Sequence, residues 1–115
     1  RSLKLLRERG YQVAVVERWN PHVRIRQDLW GFADLLACLV GEERNGVNWS
    51  EFVLVQVCGG GGGDLAARRK KIVESSEALI WIGCGGRVLI QQWIRRPPLK
   101  GKKRIRVELR EEWIG

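Results

Sequence analysis

The segment that decides the fold contains GFADLLACLV at residues 31–40, FVLVQVC at 52–58, five glycines at 59–63 and DLAARRKKI at 64–72. The two apolar pieces are typical of β-strands, and the polar residues 41–50 between them predict a hairpin connection. Asp64 is a favourable helix N-cap, and the apolar residues after it recur with a helical period. We therefore expect two neighbouring strands, then a glycine-rich turn into a helix that runs from residue 65 to about residue 82.

Polar residues interrupt both predicted strands. Because successive side chains of a strand point to opposite faces, one face carries Phe52, Leu54, Gln56 and Cys58, and the other carries Val53, Val55 and Val57. Asp34 lies among apolar neighbours in the preceding strand. Burying a carboxylate or an amide costs stability unless it has partners, so this patch is the first candidate for chemistry.

The remaining segments extend this pattern of helices and strands. Residues 2–9 predict a short amphipathic helix with Ser2 as its N-cap, and residues 11–19 predict a strand that ends at Asn20-Pro21. Residues 22–30 are expected to form a basic loop or edge segment. Two further strands, 87–96 and 104–114, are joined by a turn that contains two prolines and a glycine. The order αβββαββ predicts one α/β domain, residues 1–115, with a central mixed β-sheet flanked by helices.

Composition narrows the class of protein. The 115 residues suffice for one core, and 44% hydrophobic and 30% charged residues are typical of a globular domain. The 21 Lys and Arg against 13 Asp and Glu give a net charge of +8, which favours a polyanionic partner, most often nucleic acid. The alternative is charge that serves solubility alone.

Cysteine and histidine usage points to a reducing compartment. Cys38, Cys58 and Cys84 lie in apolar segments without CxxC spacing, which indicates reduced thiols in a cytosolic setting. His22 is the single histidine, so a zinc site of Cys and His is not expected. Since no apolar run approaches about 18 residues, we expect no membrane span.

The element order and the polar residues resemble the PD-(D/E)xK nuclease superfamily, and within it the Holliday junction resolvase-like branch of phage and archaeal type. Asp34 in GFADLLA matches the first acid of that family, and Gln56-Val57-Cys58 stands in the place of its (D/E)-x-K element, which makes a degenerate D…QxC motif. The resemblance covers nearly the whole chain in topology. It implies a restriction-endonuclease-like core, Mg²⁺ or Mn²⁺ as cofactor, DNA that includes branched forms as partner, and a homodimer. It also implies a location in the cytoplasm of a bacterial or phage-infected cell.

The resemblance also implies a set of site residues. Mg²⁺ prefers hard oxygen ligands, and Asp34, Gln56 and Asp28 are the metal-ligand candidates. The catalytic candidates are Asp34, Gln56, Glu17 and Lys71. Either Glu17 or Asp28 could supply the carboxylate that Gln56 lacks, and a cation of the basic helix could replace the family's lysine. The alternatives are that Asp34 pairs with Arg24 or Arg26, and that Gln56 and Cys58 are a buried amide beside a small hydrophobe.

Two basic segments are the candidates for binding DNA. They supply Arg24, Arg26, Arg68, Arg69, Lys70 and Lys71. The last four begin a helix, where the helix dipole disfavours cations, so helix stability does not explain them. The glycines at 59–63 resemble a phosphate-cradling loop, or else form a flexible connection. Trp19 and Trp30 flank the first basic segment and could stack on a splayed base or form a dimer surface.

These observations favour a divalent-metal-dependent endodeoxyribonuclease that hydrolyses phosphodiester bonds. The alternative is a catalytically inactive nuclease-fold protein that only binds DNA. A third class is a structural protein with its tryptophans at a subunit interface and its charge incidental.

Overall fold

A computed structural model of the chain describes residues 1–41, 43–48, 50–59 and 65–115. Asp64, the predicted helix N-cap, and most of the predicted phosphate-cradling loop, residues 60–63, lie outside the described residues. The elements in chain order are α1 (Ser2–Glu8), β1 (Gln12–Val15), β2 (Arg18–Asn20), β3 (Ile25–Gln27), β4 (Leu35–Leu39), β5 (Glu43–Arg44), β6 (Val47–Asn48), β7 (Glu51–Gly59), α2 (Leu65–Val73), α3 (Ser76–Gly83), β8 (Arg87–Arg96) and β9 (Arg106–Ile114).

Five strands form the central sheet in the order β1-β4-β7-β8-β9. The β7–β8 pair is parallel and the other three pairs are antiparallel, so the sheet is mixed, as predicted. A parallel pair needs a long crossover connection, and the chain between β7 and β8 contains α2 and α3. The structure differs from the predicted order αβββαββ in two ways. It contains two additional small hairpins, β2–β3 and β5–β6, and its second helical region is divided into two helices.

Helices cover both faces of the sheet. On one face Leu6 of α1 packs in a cluster with Val53 and Val55 of β7, and on the other Ile72 of α2 packs in a cluster with Leu54 and Cys58. The alternation predicted for β7 is therefore confirmed. Because β7 is buried on both faces, its run of apolar residues is nearly continuous.

The single helix predicted from residue 65 to about residue 82 is wrong, because the chain breaks between Val73 and Ser76. Ser75 has an extended backbone (φ −79°, ψ 124°), and its hydroxyl oxygen accepts a hydrogen bond from the Ala78 backbone N–H at 3.3 Å. A serine in this position satisfies a helix N-terminus better than a helix interior. Ile72 and Ala78 belong to the same core cluster, so the apolar period continued across the break and concealed it.

The predicted strand 11–19 is also divided. Val15 pairs with Leu35, the first residue of β4, so the ladder of the sheet ends there. The next residues leave the sheet, and residues 18–20 pair instead with 25–27 as a separate two-stranded ribbon inside the segment expected to be a loop or edge. We call residues 18–27 the ribbon. Asn20 accepts a hydrogen bond from the His22 backbone N–H at 3.0 Å and so shapes its turn.

Smaller differences from the prediction occur at the ends of α1 and β9. Arg1, not Ser2, is the N-cap of α1, and the Ser2 hydroxyl oxygen accepts a hydrogen bond from the Trp93 indole N–H at 2.7 Å. Strand β8 has the predicted bounds, whereas β9 begins two residues later than predicted. None of the helices in the described ranges has the length and apolar composition needed to cross a bilayer.

Candidate functional site

Asp34 sits at a bend just before β4. Its backbone N–H donates to Val55 O and its carbonyl oxygen accepts from Val16 N, both at 2.9 Å, so the backbone is held between β1 and β7. Its carboxylate oxygen Oδ2 accepts a hydrogen bond from the Val57 backbone N–H at 2.7 Å. Since the β4 ladder begins only at the next residue, this carboxylate takes the place of a strand partner for Val57.

Two turns bring Asp28 and Glu17 to Asp34. The pairing of Arg18 with Gln27 places the flanking residues Glu17 and Asp28 side by side at the open end of the ribbon. The bridge between Leu29 and Ala33, with N–H to O distances of 2.8 and 3.0 Å, then places Asp28 beside Asp34. As a result, a carboxylate oxygen of each residue lies within 4.8 Å of the other two. We call Glu17, Asp28 and Asp34 the acid cluster.

The acid cluster is electrostatically unbalanced. The pKa of Asp34 is raised from 3.8 to about 7, first by burial, then by a hydrogen bond with the Asp28 carboxyl and by the negative charges of Asp28 and Glu17. The hydrogen bond from Val57 N–H opposes this rise. Arg26 offsets part of the charge through a 3.0 Å ion pair with Glu17, but its side chain is 72% exposed and therefore screened by water. A further cation or a proton at the cluster would relieve the repulsion.

An open cavity of about 340 Å³ gives access to Asp34 and Glu17. Its wall is formed by Arg1, Ser2, Leu3, Val15, Leu35 and Val57. The three half-buried carboxylates are the hard oxygen donors that Mg²⁺ and Mn²⁺ prefer, and the cavity leaves space for water and a phosphate. The donor set therefore fits a divalent metal of this class.

Gln56 and Lys71 are not gathered at the acid cluster. Gln56 is 2% exposed, shares its face of β7 with Leu54 and Cys58, and its Oε1 has no hydrogen-bond partner among the described residues. Lys71 is exposed on α2, which packs on that same face. The described residues that line the cavity include neither of them. The structure thus brings together Asp34, Asp28 and Glu17 of the predicted site residues.

The predicted DNA-binding residues lie on two surfaces. Arg24 is at the turn of the ribbon with φ 52°, and Arg26 is at the acid cluster, bonded to Glu17 and not to Asp34. On α2, Arg69 forms a 3.0 Å ion pair with Glu112, whereas Lys70 is exposed like Lys71. Arg68 is half-buried, and its Nε has no hydrogen-bond partner in the described part of the chain.

The two tryptophans beside the ribbon are partly exposed. Trp19 is 59% exposed and pairs across the ribbon with Arg26, while Trp30 is 47% exposed and its ring centroid lies 6.4 Å from that of Trp81. Both are accessible to a ligand, and both border the acid cluster in sequence.

Three further polar residues of interest were not singled out from the sequence. Arg1 lines the cavity, and its guanidinium lies 6.0 Å from the centroid of the Trp93 ring. Gln91 and Gln92 are fully buried in β8, and Gln92 pairs with Cys58 of β7. The apolar surroundings of the two glutamines in RVLIQQWIRR were the signal that could have identified them, since the same signal identified Gln56.

No family model, no curated protein and no solved structure matches this chain.

Proposed function

We propose that this protein is a divalent-metal-dependent endodeoxyribonuclease with a restriction-endonuclease-like fold, and that Asp34, Asp28 and Glu17 hold Mg²⁺ or Mn²⁺. The observation that carries the proposal is the convergence of three carboxylates within 4.8 Å of one another. All three lie outside the strands, so pairing within the sheet does not require them to be acidic.

A divalent cation bound there would offset charge on a scissile phosphate and make its bound water more acidic. The chain's own residues orient this site. Val57 N–H fixes the Asp34 carboxylate, and Arg26 holds Glu17 at the cluster. The pKa of Asp34, raised to about 7 by burial and by the neighbouring carboxyls, would fall when a cation binds, so Asp34 would hold the metal as a charged carboxylate. Arg1, at the cavity, is placed to bind a phosphate oxygen.

The net charge of +8 and the exposed cations of the ribbon and of α2 support DNA as the substrate. The preference for branched DNA and a homodimeric state rest on the resemblance to resolvases. A homodimer would present two acid clusters to two strands of a symmetric junction.

One observation favours a second candidate, a DNA-binding protein of the same fold without turnover. Cys58 stands where the resembling family has its lysine, and a buried thiol cannot donate to a phosphate as an ammonium group does. If the protein is an active nuclease, Arg1 or Arg26 must supply the positive charge of the family's lysine.

Cleavage assays separate the candidates. A labelled four-way junction and a plasmid are incubated with Mg²⁺ or Mn²⁺ and wild-type protein, Asp34→Asn, Asp28→Asn, or the control Glu74→Gln, which removes an exposed acid of the α2–α3 turn. If wild type and the control cleave DNA and both cluster variants do not, the nuclease proposal is supported. Salt-sensitive DNA binding without cleavage under either ion supports the inactive protein. Absence of DNA binding at low salt contradicts both and leaves a structural role.

A further inference from the structure

The turn between β8 and β9 is the most basic segment of the chain. Residues 95–106, RRPPLKGKKRIR, contain seven Lys and Arg and no Asp or Glu. Every one of these residues is exposed except Arg96, which is half-buried. We call residues 95–106 the basic tip. It contains a third of the 21 cationic residues of the chain.

The arrangement of these charges is unfavourable for the folded chain. Arg96 and Arg106 are direct cross-strand partners at the end of the β8–β9 ladder, and like charges in that position are destabilising. Arg96 Nε donates to Glu108 at 2.7 Å and Arg106 Nε donates to Pro97 O at 3.0 Å, so both guanidinium groups are held in place. The other five cations of the tip form no ion pair with any described residue. A polyanion would relieve this repulsion.

The tip lies at the same end of the sheet as the acid cluster. Asp34 is bonded to Val57, and Val57 pairs with Gln91 of the parallel strand β8. From Gln91 to Arg96 the strand advances roughly 16 Å toward the tip, at about 3.3 Å per residue. That distance is about half of the roughly 34 Å turn of a DNA duplex. A duplex at the cavity could therefore reach the tip.

We propose that the basic tip is a DNA-binding arm that contacts the phosphate backbone outside the candidate active site. Guanidinium groups match phosphate oxygens in geometry, and the tip contains four arginines. An interfacial membrane segment would need a broad apolar face with aromatic residues, whereas the tip has no aromatic residue, and its only large aliphatic side chains are Leu99 and Ile105. The proposal shares its DNA partner with the proposed function but does not require hydrolysis.

Fluorescence anisotropy of a labelled duplex, measured in EDTA over a series of salt concentrations, tests this arm without cleavage. The tip variant is Lys102→Gln/Lys103→Gln, and the matched control is Lys4→Gln/Arg7→Gln, which removes two exposed cations from α1. Each lost phosphate contact should reduce the slope of log K against log salt by about 0.9, so the tip variant should lose about 1.8. Relative to equal affinities extrapolated to 1 M salt, this slope change makes binding roughly 60-fold weaker near 0.1 M salt. The control should retain the wild-type slope.

A second variant, a stability control and a second ligand decide the outcome. Lys102→Arg/Lys103→Arg should restore binding, and equal melting temperatures should show that the glutamine variant is folded. Equal weakening in the α1 control would overturn the proposal, because net charge alone would then explain binding. Tip-dependent binding to anionic vesicles that exceeds binding to duplex would also overturn it. If duplex binding depends on the tip but the protein cleaves no DNA, only the proposed reaction is contradicted. If the protein cleaves DNA but its binding does not depend on the tip, only the DNA-binding arm is contradicted.

Discussion

Two polar groups of side chains lie on either side of strand β7, and they differ in exposure and charge. The acid cluster on one side is half-buried, bears carboxylates and opens into a cavity. On the other side, Gln56 and Gln92 are 2% and 0% exposed, and their side-chain carbonyl oxygens lack partners within the described residues. We call Gln56 and Gln92 the amide pair.

The difference reflects what each group costs when it loses water. An unpartnered neutral amide costs about 1–3 kcal/mol, which a core of this size can offset. An uncompensated carboxylate costs several kcal/mol, so a cluster of three must keep contact with water or with a cation. For this reason, the acid cluster can accept an ion from solvent, and the amide pair is closed to one.

The largest expected contrast between the two groups is in catalysis. If the acid cluster holds the metal, Asp34→Asn should lower the cleavage rate by roughly a thousandfold or more, since metal stabilisation of the transition state is worth several kcal/mol and each 1.36 kcal/mol is tenfold. Gln56→Met, which keeps the side-chain volume, should leave the rate within about threefold of wild type. Single-turnover cleavage of the junction measures both. Comparable losses in the two variants would return Gln56 to the ligand set.

The second contrast is in stability. Gln92→Met should raise the free energy of unfolding by about 1–3 kcal/mol, because it removes two buried polar atoms without hydrogen-bond partners in the described chain. Urea unfolding followed by circular dichroism measures the change. As the control, Gln91→Met should destabilise, because Gln91 Nε2 donates to Glu111 at 3.0 Å. A loss of stability in Gln92→Met would indicate that the amide has a partner in the folded protein.

Much of the sheet could be predicted from the sequence, because local periodicity determines which face of a strand each residue occupies. Leu54 and Val55 lie on opposite faces of β7 as their positions require, and the bounds of β8 match the prediction. The break at Ser75 was missed, since one capping side chain outweighed an apolar period that continued past it.

The site was only partly predictable, because it forms where turns meet. Asp28 and Glu17 were identified as candidates by residue type, but their convergence depends on the pairing within the ribbon and on the Leu29–Ala33 bridge. Strict alternation places Asp34 opposite Gln56, as the register of Leu35 with Val55 implies. A bend turns the carboxylate to Val57 N–H instead, and no local pattern in GFADLLA encodes that bend.

A third contrast concerns pH and affects the acid cluster alone. Between pH 4 and pH 7 the folded protein retains a proton on Asp34 that the unfolded chain has released, since the pKa is about 7 in the fold and ordinarily 3.8. Stability from this group is therefore complete below about pH 4 and is lost as the pH rises through 7. Wild type should lose a few degrees of melting temperature relative to Asp34→Asn between pH 5 and pH 8. Mn²⁺ should remove this loss in wild type at pH 8, because the ion binds the charged carboxylate of the folded protein. The same dependence of melting temperature on pH in both proteins would contradict a raised pKa of Asp34 in the fold.

The smallest effect expected is at the N-cap of α3, and it tests whether the two sides of β7 are independent. Ser75→Ala removes the hydroxyl oxygen that accepts from Ala78 N–H, which should cost about 1 kcal/mol of stability. Ser76→Ala is the matched control, because its exposed hydroxyl contacts only the Glu77 carboxylate in the described structure and caps no backbone group.

Ala78, which α3 contributes to the core, packs on the side of the amide pair, so loosening α3 should leave cleavage and Mn²⁺ affinity unchanged at temperatures below the transition. If Ser75→Ala instead lowers metal affinity while Ser76→Ala does not, α3 positions the acid cluster through the sheet. Trp30, which lies between Asp28 and Asp34 in sequence and contacts Trp81 of α3, would then connect α3 to the acid cluster.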